Sequence, residues 1–339
     1  MTSFVAAGAM SVGSCHGDRF ELHSPIQDRR ASRRRLVRGF AGGVAAGLLT
    51  AAGIRPAPAS AGDATPASPH AEEGMESVIA PDGMRIAYRR AGDGPPLVLV
   101  HGTADDHNRW LPLLPALGER FTVYAIDRRG RGGSGSYDPA TYRIEREFAD
   151  VAAVVDAIGE PAHLLGHSFG ALCSLEAALL TDRLRKLVLY EPPILIPDGE
   201  PLIPPEAVTK LEALLAAGDE EGVLLAFARE IVGVPEDVIA MWRAAPEWQA
   251  SVEMAPTIVA EVRAVGDYVF DPARFRDLAT PTLLLLGGES PPFFTVATEA
   301  VAAALPHDRL EVLPGQGHIA MDTVPELFLE TVVGFLAEE

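Results

Sequence analysis

The sequence predicts an α/β protein with a mostly parallel central sheet, helices on both faces of that sheet, and a helical cap inserted within the sheet order. Short apolar runs such as PLVLVHG and FTVYAID are typical of buried strands, and they alternate with segments of helical spacing. Residues 197–278 break this alternation with helical periodicity alone, directly after the strand candidate KLVLYEPP. The 48% apolar and 22% charged fractions indicate a globular chain.

Residues 1–61 are predicted to be an export signal peptide. The basic SRRRLVR precedes the apolar GFAGGVAAGLLTAAGI, which is shorter than the roughly 20 residues of a bilayer-spanning helix. Ala59-Ser60-Ala61 predicts cleavage after Ala61, and the paired arginines resemble a twin-arginine export signal. We expect an exported, extracytoplasmic protein that is not integrated in a membrane after cleavage, a prediction that the N-terminal sequence of the mature chain would test. The alternative is a basic disordered tail.

Residues 62–74 are expected to form a flexible leader, and residues 75–196 and 279–339 the α/β core. SVIAPDGMRIAYRRAG predicts a hairpin around a Pro-Asp-Gly turn. IEREFADVAAVVDAI predicts a helix that ends at Gly159. The remaining core segments are four short strands and one closing amphipathic helix: AHLLGHSFG, KLVLYEPP, TLLLLGG, RLEVLPG and DTVPELFLETVVGFLAEE.

Residues 197–278 are predicted to form the cap, over the carboxyl ends of the strands. EAVTKLEALLAAG, EEGVLLAFAREIVG and PEDVIAMWRAA have helical periodicity. Large apolar side chains in and near this segment either line an apolar substrate pocket or pack as ordinary core, and helical spacing allows both. They are Phe227, Met241, Trp242, Trp248, Met254, Phe293 and Phe294.

Charge and cysteine content exclude several classes of function. The formal net charge of −19 argues against nucleic acid or anionic membrane surfaces as partners. Cys15 would leave with the signal peptide, so Cys173 would have no intrachain disulfide partner. The cluster Asp105-Asp106-His107 is expected to be a solvated or substrate-facing loop rather than a metal site. We therefore expect neither a metal nor a cofactor.

GHSFG, residues 166–170, carries the strongest chemical signal. It lies between an apolar strand candidate and the helix-like ALCSLEAALL, the strand-turn-helix context that gives G-x-S-x-G its meaning. Such a turn strains the serine backbone and needs small neighbours. The pattern predicts that Ser168 is a nucleophile at a helix N-terminus.

A serine hydroxyl needs a base to remove its proton, and GQGHIAMD offers His318 after the last strand candidate. The position of His318 after Ser168 in chain order, at a strand's carboxyl end, predicts that the two meet. His167, expected to point away from the site, and His163 are interpreted as structural.

The loop HGTADDHNRW follows the first parallel strand and suits an oxyanion site. Backbone N–H groups aimed at a developing oxyanion are a large electrostatic contribution to acyl transfer. We assign them to Thr103 and Phe169.

GRGGSG, residues 130–135, matches a dinucleotide fingerprint, but the acidic residue that should end a following strand is missing. It is interpreted as a glycine-rich packing loop.

With HGT, DRRGRGGSG, GHSFG and GQGH in this order, the chain from about residue 75 to 339 resembles the α/β-hydrolase family. The resemblance implies a serine-histidine-acid triad that acts through an acyl-enzyme. In that family the acid is most often an Asp three residues after the glycine that ends the penultimate strand. Here that position is Ser290, with Glu289 one residue short. Some members, such as the haloalkane dehalogenases, instead place a Glu after the strand that follows the nucleophile strand.

That second position is Glu191, which is followed by Pro192 and Pro193. The prolines would end the strand and restrict the backbone around the carboxylate. An acid at either position could orient His318 and stabilise its imidazolium form. Glu191 is the first candidate, and Glu289 is the alternative.

The expected function is an exported serine hydrolase that cleaves an apolar or ester-like small-molecule substrate through an acyl-enzyme. One alternative is hydrolysis of a carbon–carbon bond in a diketone-like compound. The other is a non-catalytic member of the fold that binds a small ligand.

Overall fold

The computed structural model describes residues 74–196 and 203–338. The signal peptide, the cleavage point and nearly all of the leader lie outside these residues and stay predictions. Within them, no helix combines the length and the apolar character needed to cross a bilayer.

The central sheet has eight strands in the order β1-β2-β4-β3-β5-β6-β7-β8. The first two form the expected antiparallel hairpin, β2 joins β4 antiparallel, and every later pairing is parallel. The mostly parallel α/β fold is thereby confirmed. The strands are β1 (Glu76–Ile79), β2 (Arg85–Ala91), β3 (Pro96–Val100), β4 (Thr122–Ile126), β5 (Ala162–His167), β6 (Leu184–Tyr190), β7 (Thr282–Gly287) and β8 (Asp308–Leu313).

Helices cover both faces of the sheet. Alternate residues of each strand point to opposite faces, so Val98 and Val100 enter one buried cluster while Leu97 and Leu99 enter the other. The core helices are α1 (Leu114–Gly118), α2 (Ile144–Ile158) and α3 (Phe169–Ala177). As expected, α2 ends at Gly159, which adopts a left-handed conformation with φ of 85°.

The described part of the chain between β6 and β7 is dominated by helices. They are α4 (Pro205–Ala216), α5 (Glu220–Ala226), α6 (Glu236–Arg243), α7 (Trp248–Glu253) and α8 (Ala255–Asp267), with a π-helical stretch at Phe227–Val232. Sequence analysis singled out α4, α5 and α6 but not α8. This helix buries one side, including Ile258, Val262 and the carboxylate of Glu261.

Three helices follow β7. They are α9 (Pro292–Ala304), which precedes β8, and α10 (Ala320–Thr323) and α11 (Pro325–Ala337), which follow it. The expectation of one continuous closing helix from Asp322 is wrong. Val324 leaves the helical region, with φ of −144° and ψ of 67°, because the ring of the following proline clashes with helical geometry at the preceding residue. The short α10 directly follows His318 and Ile319.

His163 in β5 makes the stability of this fold sensitive to acid. It is buried, its ring packs edge-on against Phe121, and its Nδ1 has no hydrogen-bond partner in the described part of the chain. Burial, with the positive charges of Arg185 and Lys186, lowers the pKa of His163 to about 4. The unfolded chain, with a pKa of about 6.5, therefore binds more protons than the folded one between these two values.

The free energy of unfolding should consequently fall as the pH falls from about 7 to about 4, with His163 contributing about 2 kcal/mol after solvent screening. In His163→Leu this contribution disappears, so the pH dependence should be shallower. Urea unfolding of both proteins at pH 7 and pH 5 measures the difference, and identical pH dependence in the two would refute it.

Candidate active site

The candidate site lies at the carboxyl ends of β3, β5, β6 and β8. The loops that leave these strands carry Thr103, Ser168, Glu191 and His318. Parallel strands bring their carboxyl ends to one edge of the sheet, so residues far apart in sequence meet there.

Ser168 occupies a sharp turn between β5 and α3. Its backbone is strained, with φ of 55° and ψ of −125°, and its N–H donates to the carbonyl of Tyr190 at 2.8 Å. A Cβ on Gly166 would lie 2.4 Å from the Gly170 carbonyl oxygen, and one on Gly170 would lie 2.4 Å from the Val100 carbonyl oxygen. Only glycine fits these two positions, which explains both glycines of GHSFG.

Strain recurs around this edge of the sheet. Among described residues other than glycine, positive φ occurs at Ala104, Ser168 and Glu191, with values of 62°, 55° and 51°. All three follow strands of the parallel sheet at its carboxyl edge. Strained backbone of this kind persists where the surrounding structure holds side chains in functional positions.

Glu191 and His318 form a buried pair. The His318 Nδ1 lies 2.5 Å from Glu191 Oε2, and the Gly287 N–H donates to Glu191 Oε1 at 2.6 Å. Glu191 is fully buried and its own N–H donates to the Leu285 carbonyl. With the proton on Nδ1 facing the carboxylate, the Nε2 of His318 is left able to accept a proton.

Glu289, the alternative acid, is at the surface. Its side chain is exposed, and its backbone N–H donates to the Gln316 carbonyl at 2.8 Å. The penultimate strand β7 nevertheless takes part, because Gly287 at its end holds the Glu191 carboxylate. Of the two candidates, the geometry brings Glu191 to His318.

The backbone and ring of His318 are held by its neighbours. Phe294 stacks on the imidazole with ring centroids 4.2 Å apart, and His167 Nε2 donates to the His318 carbonyl at 2.8 Å. The Tyr190 hydroxyl donates to the Gly317 carbonyl and accepts from the Ala320 N–H.

His167 thus lies beside His318 and not away from the site as expected. Burial and nearby positive charge hold the pKa of His167 well below its usual value. His167 therefore contacts His318 in its neutral form.

The loop after β3 is fixed by its carbonyl groups. The Gly102 carbonyl accepts from His101 Nδ1 and from Arg128 Nη2, both at 2.9 Å. His101 Nε2 accepts from the Arg128 backbone N–H, and burial keeps the pKa of His101 well below its usual value. Phe169 is the first residue of α3, and the first N–H groups of a helix have no partner within the helix.

Asp127 binds the histidine of the Asp105-Asp106-His107 cluster. Its carboxylate accepts from the backbone N–H of His107 and from that of Gly133, each at 2.8 Å, and lies 2.8 Å from the His107 Nδ1. Asp106, His107 and Asp127 bring potential metal-ligand atoms within 4.8 Å of one another. The hydrogen bonds of Asp127 tie the glycine-rich loop to the loop that carries Thr103.

Two cavities meet at Ser168. The larger, of about 490 Å³, is lined by Ser168, His318 and cap side chains including Trp242 and Trp248. The smaller, of about 40 Å³, lies beyond Ser168 and Thr103 and is lined mainly by apolar groups such as Phe169 and Phe294. The apolar side chains proposed from sequence all line one or both cavities: Phe227, Met241, Trp242, Trp248, Met254, Phe293 and Phe294.

Sequence analysis missed two buried residues near the site. Arg128 contacts Gly102, and Glu261 of α8 contacts Arg128. The arginine had a signal, since DRR directly precedes the glycine-rich loop. Glu261 had none, because a single acid in a helix with helical spacing looks like any exposed residue.

Comparison with known proteins shows that this chain is similar to hydrolases. Residues 97–331 match the model of the alpha/beta hydrolase family. The chain is 30% identical over 270 residues to a 2-(acetamidomethylene)succinate hydrolase of Mesorhizobium japonicum, covering 74% of this chain and 91% of the relative.

Two solved structures are similar along most of the described chain. An alpha/beta hydrolase from Sphaerobacter thermophilus is 37% identical with a TM-score of 0.67, covering 77% of this chain and all of that one. An esterase from Rhodococcus sp. is 26% identical with a TM-score of 0.63, covering 78% of this chain and 99% of that one.

Proposed function

Because the chain belongs to the alpha/beta hydrolase family, we propose that it is a serine hydrolase that removes a short acyl group from an ester-like substrate through an acyl-enzyme. The observation that carries this proposal is the Glu191–His318 pair, with 2.5 Å between carboxylate and imidazole, at the cavity that Ser168 also lines. The relatives support acyl chemistry by their names, one a hydrolase of an acetamido compound and one an esterase.

In the proposed first step, the Ser168 oxygen attacks the acyl carbonyl carbon while His318 Nε2 takes the hydroxyl proton. The carbonyl oxygen becomes an oxyanion, which the N–H groups of Thr103 and Phe169 stabilise. Glu191 stabilises the imidazolium that forms. As the tetrahedral intermediate collapses, the bond to the leaving oxygen breaks and His318 returns the proton to that oxygen.

In the second step, His318 takes a proton from water, whose oxygen attacks the acyl carbon. The bond to Ser168 then breaks and the serine recovers its proton from His318. The carboxylic acid leaves, and every proton that was taken has been returned. No cofactor is required by this sequence of steps.

The smaller cavity supports a limit on acyl length. Its volume of about 40 Å³ is less than a tenth of the about 490 Å³ of the larger cavity. We therefore expect a short acyl group to be accommodated better than a long one, since overpacking apolar walls costs about 1–3 kcal/mol. The larger cavity has room for the leaving group.

A series of p-nitrophenyl esters tests the proposed function. We expect hydrolysis of the acetate, and kcat/KM at least about 10-fold lower for the hexanoate because of the overpacking cost. Val265→Ala should relax this preference, since Val265 lines the smaller cavity. Val259→Ala, a truncation on the same helix at a residue not among that cavity's lining, is the matched control. Preference for long acyl chains, or no hydrolysis of any ester, would contradict the proposal.

Carbon–carbon hydrolysis is the second candidate, and two acidic residues that line the larger cavity favour it. Asp105 and Asp106 are among its lining residues, and burial raises the pKa of each carboxyl. A carbon leaving group needs a proton donor, and a raised pKa makes a carboxyl a better candidate for that role. Turnover of a diketone-like compound without turnover of acetyl esters would favour this candidate over the first.

A further inference from the structure

Arg128 touches both halves of the proposed oxyanion site. Its side chain is 1% exposed and is held in the loop after β4. Nη2 donates to the Gly102 carbonyl at 2.9 Å, and the guanidinium carbon lies 4.6 Å from the centre of the Phe169 ring. Gly102 directly precedes Thr103, so one side chain contacts the peptide of one donor and the ring of the other.

The contact with Gly102 fixes the direction of the Thr103 N–H. The peptide between Gly102 and Thr103 is planar, and in a trans peptide the C=O and N–H point in opposite directions. Arg128 and His101 hold the carbonyl from one side. The Thr103 N–H therefore has to point to the other side, and Thr103 lines both cavities beside Ser168.

The contact with Phe169 acts on the second donor. A guanidinium over an aromatic face is attracted by the ring and restricts its position. Phe169 is the first residue of α3, so its backbone N–H has no partner within the helix. Arginine suits this double role because its planar group can donate in its plane while stacking on its face.

Arg128 is itself held from the cap. Its Nη1 donates to Glu261 Oε1 of α8 at 2.9 Å and to Glu147 Oε1 of α2 at 3.2 Å. Arg131 Nη2 donates to the same Glu261 oxygen at 2.5 Å. Burial raises the pKa of the Glu261 carboxyl, but the positive charges of Arg128 and Arg131 outweigh this effect and hold the pKa below its usual value.

We propose that Arg128, held by Glu261 of the cap helix α8, is a positioning residue that orients both oxyanion N–H donors. The cap would then complete the oxyanion site in addition to covering the cavity. This inference rests on the proposed function, because it assigns a role within the same acyl transfer.

Two variants and a matched control test the inference. Glu261→Gln removes the charge that holds Arg128, and Arg128→Lys keeps the charge but loses the planar fork and the stack. Glu176→Gln is the control. Glu176 is a buried carboxylate of α3 that binds Arg274 through both oxygens and also accepts from the Tyr268 hydroxyl. Its substitution therefore breaks a different ion pair, between the core and the chain after α8.

For p-nitrophenyl acetate, Glu261→Gln and Arg128→Lys should each lower kcat by about 10- to 100-fold, less than the 10²- to 10³-fold loss of a whole oxyanion donor. KM should change by less than about two-fold, and the rate of fluorophosphonate labelling of Ser168 should fall in parallel with kcat. Glu176→Gln should lower the thermal midpoint while kcat stays within about two-fold of the parent.

A kcat within two-fold of the parent in Arg128→Lys, or an equal loss in Glu176→Gln, overturns the inference. Arg128→Lys carries the test if Glu261→Gln does not fold. If the unsubstituted protein neither hydrolyses the ester nor reacts with the fluorophosphonate, the proposed function itself fails and this inference falls with it. Normal labelling of the parent with unaffected variants overturns the positioning role alone.

Discussion

Glu191→Gln should lower kcat for p-nitrophenyl acetate by about 10⁴-fold, the scale expected when the orienting acid of a triad is disabled. The glutamine keeps the shape of the side chain, and its carbonyl oxygen can still accept from the Gly287 N–H. The NH₂ group of the glutamine then faces His318 Nδ1 and cannot accept its hydrogen bond. The imidazole therefore loses both its tautomer preference and the negative charge that stabilises its protonated form.

Glu289→Gln is the matched control, because it makes the same chemical change at an exposed carboxylate. We expect its kcat to stay within about two-fold of the parent. Steady-state kinetics of both variants on one ester gives the comparison. If the large loss falls on Glu289→Gln, the acid is assigned to the wrong strand.

Ser168→Ala should have the larger effect, a loss of about 10⁶-fold in kcat, the scale for removal of a nucleophile that acts as a unit with its base. The oxyanion donors and the cavity stay in place, so the remaining activity should exceed that of water alone. No covalent intermediate can form, and a burst of p-nitrophenol in rapid mixing should disappear with the turnover.

Ser174→Ala separates this effect from a general effect of serine removal near the turn. Ser174 lies on α3 six residues after Ser168, is fully buried, and its hydroxyl has no hydrogen-bond partner among the described residues. Removing an unpaired buried hydroxyl should leave kcat within about two-fold of the parent and should not lower stability. Residual turnover in Ser168→Ala comparable to that of Ser174→Ala would exclude Ser168 as nucleophile.

Much of the fold could be predicted because each strand carries its own local signal. The runs around Leu97 and Leu284 are apolar throughout, as strands buried on both faces must be, and Gly159 marks a helix end through its need for positive φ. The prediction of one continuous closing helix fails at Val324, because the apolar periodicity continues across a residue whose backbone the next proline restricts. The rule for residues before proline would have placed the break.

In the candidate site, residues in local motifs could be predicted from sequence, but long-range pairs of residues could not. Ser168 and Glu191 stand in short motifs whose backbone demands can be read from neighbouring glycines and prolines. The partnership of Arg128 with Glu261 joins residues 133 positions apart in sequence. Only the tertiary fold brings such residues together, and nothing in the local sequence of α8 distinguishes Glu261 from a solvated acid. The orientation of His167 was missed for the same reason, since it depends on where the His318 loop lies.

The most direct test of the central claim is to react the folded protein with a fluorophosphonate and locate the adduct by mass spectrometry of its peptides. The account predicts one adduct, on Ser168, that forms at the rate at which activity is lost and is absent from Ser168→Ala. A folded protein that stays unlabelled at Ser168, or that loses activity through an adduct on another residue, would contradict it.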